Sequence, residues 1–445
     1  MENESMPVSA QITAADLARY EQELAAYPGA EPLARAVQNT GVVEASKNFA
    51  AKQHLDHVFS VEVKTGKVTN QKQSGRCWLF ATLNTLRHQL VQELNLKDFE
   101  FSQNYNAFYD RLEKANAFYE RIIATADRPL NDRLVQWNLS WNDSDGGQWS
   151  NAVALIEKYG LVPKSAMEET FTSSNTAGLN TTLQWKLRRD AMFLRRMISA
   201  GQTPAAVAEQ KQAFLSEVYR MLVFAFGKPV EKFDFEYRDK DNNYHIVRNL
   251  TPQEFYAKYI KVDFDDYVCL TDAPDHELGK VYSLPSQDYI AGGRTNQFVI
   301  VDTAALKQAT IAQLQAGETA WFGCDVGADS DRKAGILDPD FFKQDELFGV
   351  DLSFSKQDRL ASGQGEVSHA MTMTGVDLVE DQPTKWKVEN SWGDKPGQAG
   401  YFIMTDKWFD NYMYEVIINK KYLTSAQKEL LHQEPIPLAP WDSLK

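Results

Sequence analysis

Within VTNQKQSGRCWLFATLNTLRHQLVQEL, Leu79, Leu83, Leu86 and Leu90 recur at spacings of four, three and four. That period commits the segment to a helix with one apolar stripe and sets the thiol of Cys77 at the helix N-terminus. The same period carries Leu17, Tyr20 and Leu24 in a helix from about Ala14 to Tyr27, stopped by Pro28-Gly29. A longer helical block runs from Gln184 to about Leu222, with Leu187, Ala191, Leu194 and Ile198 on one face, and ends at Gly227-Lys228-Pro229.

Residues 230–304 read as strand and loop, with Phe233, Phe235, Tyr237 and Tyr244 near alternation. A helix from Ala304 to about Ala316 leads into the strand-length apolar run Ala320–Cys324. The final third offers short strands at His369–Thr374, Lys385–Glu389 and Tyr401–Met404 between glycine-rich turns. The ending HQEPIPLAPWDSLK places Pro435, Pro437 and Pro440 within six residues, so it is an extended arm rather than a helix or an inner strand.

Composition narrows the function classes. The 445 residues are 43% hydrophobic and 24% charged, an ordinary globular balance sufficient for two or three packed units. Forty-seven basic against 61 acidic residues leave a net charge of −14, which disfavours nucleic acid and anionic lipid as partners. The basic crowd from Lys186 to Arg196 is read as a solvated helix face, since Asp190 interrupts it.

Three cysteines, Cys77, Cys269 and Cys324, form no CxxC pair and suit a reducing compartment. The N-terminus lacks the basic flank and apolar core of an export signal, and no run of about 18 apolar residues follows, so the expected location is cytoplasmic, without a membrane. HExxH, GxxxxGK[ST] and GxSxG are absent, and neither a metal nor a cofactor is expected.

A cysteine nucleophile needs its thiolate, a base to take and return a proton, a group to aim that base, and donors for an oxyanion. Cys77 at a helix start gains about 0.3 to 1 kcal/mol for a negative sulfur from the helix dipole. His369 in VSHAMTMTGV and Asn390 in WKVENSWGD lie on neighbouring strand candidates, which can set distant side chains side by side. Cys269 and Cys324 are expected to be inert core thiols, and the other six histidines to be surface or satisfied groups.

NQKQSGRCWLF, VSHAMTMTGV and VENSWGDKPGQAGYF resemble, in that order, the cysteine, histidine and asparagine segments of papain-like cysteine peptidases. Cys77 and His369 are 292 positions apart, against about 130 to 150 in papain-type enzymes, so a domain's worth of chain is inserted. FEFSQNYNAFYDRLEKANAFYERI, AWFGCDVG and the EPIPLAPWD ending are similar to the bleomycin hydrolase and bacterial aminopeptidase C group, over nearly the whole chain.

That resemblance implies an α+β fold: a papain-like core of a helical and a β-barrel-like subdomain, with large helical and hook-like insertions. It divides the chain into an N-terminal arm and helix (1–60), the helical subdomain (61–183), the insertion (184–316), the β-rich subdomain (317–431) and a C-terminal arm (432–445). It assigns Cys77 as nucleophile, His369 as base and then acid, Asn390 as its orienter, Gln71 as an oxyanion donor and Trp392 as a cover over the Asn390 to His369 bond.

Gly146 and Gly147 would leave room for the substrate backbone, with Trp149, Asp442 and Lys445 also touching substrate. A homohexamer acting on peptides is implied, with aminopeptidase action set by the C-terminal arm. The arm is shorter than the group's usual ending, which keeps an oligoendopeptidase as the alternative. A non-catalytic or nucleic-acid-binding protein on a peptidase scaffold is the reading of a different class.

Overall fold

The computed structural model describes residues 10–53, 55–141 and 144–445. They form two compact units, one comprising the chain through Asp56 together with Pro339–Ser353, the other His57–Asp338 together with Phe354–Lys445. In the first unit, Thr13 and Asp16 form a reciprocal capping box that starts the helix Ala14–Ala26. Leu17, Tyr20 and Leu24 are exposed on it, so the apolar stripe exists but is not buried among the described residues. The amide of Asn48 donates to Phe341 O (2.8 Å) and that of Lys343 to Ser46 O (2.9 Å), tying the unit's two segments together.

The second unit has α+β architecture. Its main sheet runs, by strand, 436–437, 281–283, 297–300, 267–271, 413–419, 320–324, 369–379, 382–389, 401–405, 336–337 and 330–331, with Val61–Glu62 also paired to 369–379. The arm therefore enters at the sheet's edge, parallel to Val281–Ser283, the position in which a proline costs no ladder bond. Among the described residues no helix is long and apolar enough to cross a membrane.

The helix Cys77–Glu93 differs from the single-striped helix its leucines predict. Trp78 through His88 are all buried, because the helix packs against the strand His369–Val379 on one side and the helices Gln103–Ala124 and Trp149–Tyr159 on others. Several of its polar groups find partners inside: Arg87 Nη2 donates to Glu389 Oε1 at 2.7 Å, and Asn84 Nδ2 to Thr69 Oγ1 at 3.0 Å.

The expected block from Gln184 to Leu222 is two helices of 23 residues each, Ala177–Ser199 and Pro204–Phe226, broken at Gly201 and restarted by the Thr203 cap and Pro204. The stretch read as strand and loop does hold the hairpin Phe233–Arg238 with Tyr244–Leu250. It also holds a helix, Pro252–Tyr259, whose Thr251-Pro252-x-Glu254 start is a readable capping box.

Candidate active site

Cys77 is the first residue of its helix, and it opens into a cleft of ≈ 600 Å³ shared with Gln71, Gly146, Gly147, His369, Trp392 and Lys445. His369 begins its strand opposite Cys324, and Thr372 pairs with Glu389, so His369 and Asn390 fall at the same end of the ribbon. The amide of Ala370, next to His369, is hydrogen-bonded to the Cys77 sulfur, which ties the histidine strand to the helix start.

His369 Nε2 lies 2.9 Å from Asn390 Oδ1, and the same oxygen accepts the Ser391 amide at 2.7 Å. A backbone N–H can only donate, so it fixes which end of the Asn390 amide is oxygen, and His369 Nε2 must then carry the proton. In the neutral ring Nδ1 is left as the acceptor, the nitrogen able to take a proton from the thiol. The Trp392 ring stands 4.9 Å from the imidazole, centroid to centroid, and Asn390 is fully buried, so water does not compete for their bond.

Burial pushes the Cys77 thiol up, against the amides of Ala370, Trp78 and Cys77, with Asp145 adding to the rise. Burial likewise takes His369 down to about 4, the Asn390 bond opposing and the Arg332 charge assisting. Each group alone therefore resists its charged form. Cys269, half-buried, and Cys324, fully buried, are pushed well above the ordinary thiol range by burial, as suits unreactive thiols.

Gln71 is held in place: its Nε2 donates to Ser74 O at 2.6 Å, its Oε1 accepts from the Ser391 hydroxyl, and its amide donates to Ser391 O at 2.8 Å. The second N–H of Nε2 remains for a ligand in the cleft. Gly146 has open space where a Cβ would project, with nothing nearer than Ser144 Oγ at 3.9 Å. At Gly147 the constraint is different, because a Cβ there would stand 2.7 Å from the Trp78 ring. Lys114, buried, donates to the carbonyls of Ser144 (2.9 Å) and Gly146, clamping this loop from beneath.

Trp149 does not reach the cleft. Its ring packs among Phe264, Tyr267 and Trp321, because the first turn of its helix faces the core rather than the glycine pair. Asp442 is likewise absent from the cleft wall: its carboxylate accepts from the His276 ring at 3.1 Å and from the Leu444 amide at 3.1 Å. Leu444 is fully buried in an apolar pocket that includes Leu284, Phe298, Ile300 and Tyr414, and Lys445 lines the cleft itself. His276, expected to be a surface or satisfied group, is a satisfied one, and nothing local in HELGK points to its partner on the arm.

A model of the Peptidase C1-like family matches residues 11–445. The chain is similar to Aminopeptidase G of Lactobacillus delbrueckii subsp. lactis, 51% identical over 437 residues that cover 98% of this chain and 100% of that one. It is similar also to Aminopeptidase C of Lactobacillus helveticus, 44% identical over 433 residues, 96% of each chain. The crystal structure of PepW from Lactobacillus rhamnosis HN001 superposes with a TM-score of 0.96 at 47% identity, covering 98% of this chain and 99% of that one.

Proposed function

The chain belongs to the Peptidase C1-like family, and from that membership we propose that it is a papain-like cysteine aminopeptidase whose nucleophile is Cys77. The observation that carries the reading is the pair of hydrogen bonds on Asn390 Oδ1, which leaves His369 Nδ1 free to accept a proton. Proton transfer from Cys77 Sγ to Nδ1 creates both charges together, so each offsets the desolvation of the other.

The thiolate then attacks the carbonyl carbon of the first peptide bond, while Gln71 Nε2 and the Cys77 amide hold the oxyanion. As the C–N bond breaks, His369 returns its proton to the departing amine and a thioester remains. Water, deprotonated by His369, attacks the thioester, the C–S bond breaks, and the freed acid leaves as the thiol is restored.

Aminopeptidase action is supported by the relatives Aminopeptidase G and Aminopeptidase C and by the arm, since Lys445 takes up room in the cleft that a longer substrate would need. The test compares one fluorogenic peptide with a free and an acetylated amino group. Free-amino hydrolysis is expected to dominate; comparable cleavage of the blocked peptide would move the assignment to an oligoendopeptidase. Removing Ser443–Lys445 is expected to raise cleavage of the blocked form.

The proposal includes assembly as a homohexamer in the cytoplasm. Its support is apolar surface left open in one chain, including Leu17, Tyr20 and Leu24 and also Trp185 and Phe224, and three unpaired cysteines suited to a reducing compartment. Light scattering is expected to report a six-fold multiple of 50.5 kDa. A particle of single-chain mass would refute the assembly.

A further inference from the structure

Lys445 lines the cleft, and the arm just before it makes polar contacts with a turn of the chain distant in sequence. His276 donates on both sides of its ring, with Nδ1 2.9 Å from Asp275 Oδ1 and Nε2 3.1 Å from Asp442 Oδ1. Ser443 Oγ donates to Asp275 Oδ2 at 2.7 Å, and the Leu444 amide to Asp442 Oδ1 at 3.1 Å, so both carboxylates also grip the arm's turn. The histidine side chain is 8% exposed, and those of Asp275 and Asp442 are 13% and 20% exposed.

We propose that His276 is a positioning residue for specificity: by bridging Asp275 to Asp442 it fastens the arm, keeps Leu444 in its pocket and Lys445 in the cleft, and thereby confines cleavage to peptide ends. The inference rests on the aminopeptidase reading above. Its physical basis is a charge count. One imidazolium stands between two carboxylates on different parts of the chain; with a neutral ring the two anions face each other and the arm loses a charged donor.

The other groups around the ring leave this count unchanged. Tyr282 meets it edge-on with centroids 5.0 Å apart, Glu277 next along the chain is paired with Lys280 at 3.7 Å, and the His276 amide donates to Ala273 O. Burial alone would pull His276 down, but the hydrogen bonds and charges of Asp275 and Asp442 outweigh it and push the ring up to about 9. Because the folded value lies above the ordinary one, the bridge is complete below about pH 6.5 and is lost as pH rises through about 9.

The readout is the ratio of blocked-peptide to free-peptide hydrolysis. At neutral pH, His276→Ala and Asp442→Ala are each expected to raise the ratio about tenfold or more, the scale of losing a charged hydrogen bond. In a chain that also lacks Ser443–Lys445, His276→Ala is expected to add nothing, a result that a general loosening of the fold would not give. In the unaltered protein the ratio is expected to climb above about pH 9, whereas in His276→Ala it starts high and stays level.

Circular dichroism establishes that the variants fold, and Asp442→Ala, which lies on the arm, carries the test if His276→Ala does not. A folded variant with an unchanged ratio, or an increase that persists in the shortened chain, overturns the proposal. Should the unaltered protein cleave both peptides alike, the aminopeptidase reading fails instead, and the two failures are told apart by that first measurement.

Discussion

Cys77→Ala is expected to leave a folded protein with turnover lowered by about 10⁶-fold, the scale seen when a protease loses its nucleophile. The fold tolerates the change because Cys77 occupies the first turn of its helix at the cleft, with Trp78 onward supplying the buried contacts. Chemistry does not tolerate it, since the cleft loses the Cys77 sulfur while Asn390 still aims His369. Gln71→Ala is expected to be milder, about 10² to 10³-fold, the usual loss for one oxyanion donor. Cys269→Ala and Cys324→Ala, at thiols held neutral by burial, are expected to retain turnover. Peptide hydrolysis by purified variants of matched circular dichroism checks all four, and a Cys77→Ala protein within tenfold of the parent would falsify the nucleophile assignment.

The largest stability effect is expected at Glu389. Its carboxylate is fully buried, accepts from Arg87 at 2.7 Å and has His88 Nε2 at 3.1 Å, while Arg87 Nη1 also donates to Lys67 O at 2.9 Å. The Arg87–Glu389 bond joins the Cys77 helix to the strand that ends at Glu389, next to Asn390. Glu389→Ala leaves a buried guanidinium without its counter-charge, a loss of roughly 3 to 5 kcal/mol. Arg87→Met with Glu389→Leu removes both charges and is expected to recover much of that, because no unpaired ion remains. The exposed pair Arg19 and Asp16, at 3.3 Å, is the contrast: its loss is expected to leave the unfolding midpoint almost unmoved. Urea unfolding of the three variants decides, and a Glu389→Ala midpoint as small in shift as that of Arg19→Ala would contradict the account.

Much of the architecture was legible because local periods and caps agree with the tertiary arrangement. The leucine spacing located the Cys77 helix, the apolar run Ala320–Cys324 became a central strand, and the prolines of the ending kept it at the sheet's edge. What could not be read was burial around a full helix circumference. Arg87 and His88 look solvent-facing until Glu389, about three hundred residues later, is brought beneath them.

Side-chain direction and distance along the chain also hid the outer parts of the site. Trp149 sits two residues from Gly147, yet the direction of a helix's first turn sends its ring into the core with Phe264 and Trp321. Gly147 is required by the Trp78 ring rather than by a passing substrate alone, a packing demand that sequence does not display. Asp442 was expected on substrate because it belongs to the arm; its partner His276 lies 166 positions away in the chain, with no motif joining them.

The most direct test of a Cys77 nucleophile is alkylation by iodoacetamide at neutral pH, mapped to residues by mass spectrometry while peptide turnover is followed. Label is expected on Cys77 before Cys269 or Cys324, activity should fall in proportion to it, and His369→Ala should slow the labelling. Undiminished turnover with Cys77 fully alkylated, or a labelled core thiol beside an untouched Cys77, would contradict it.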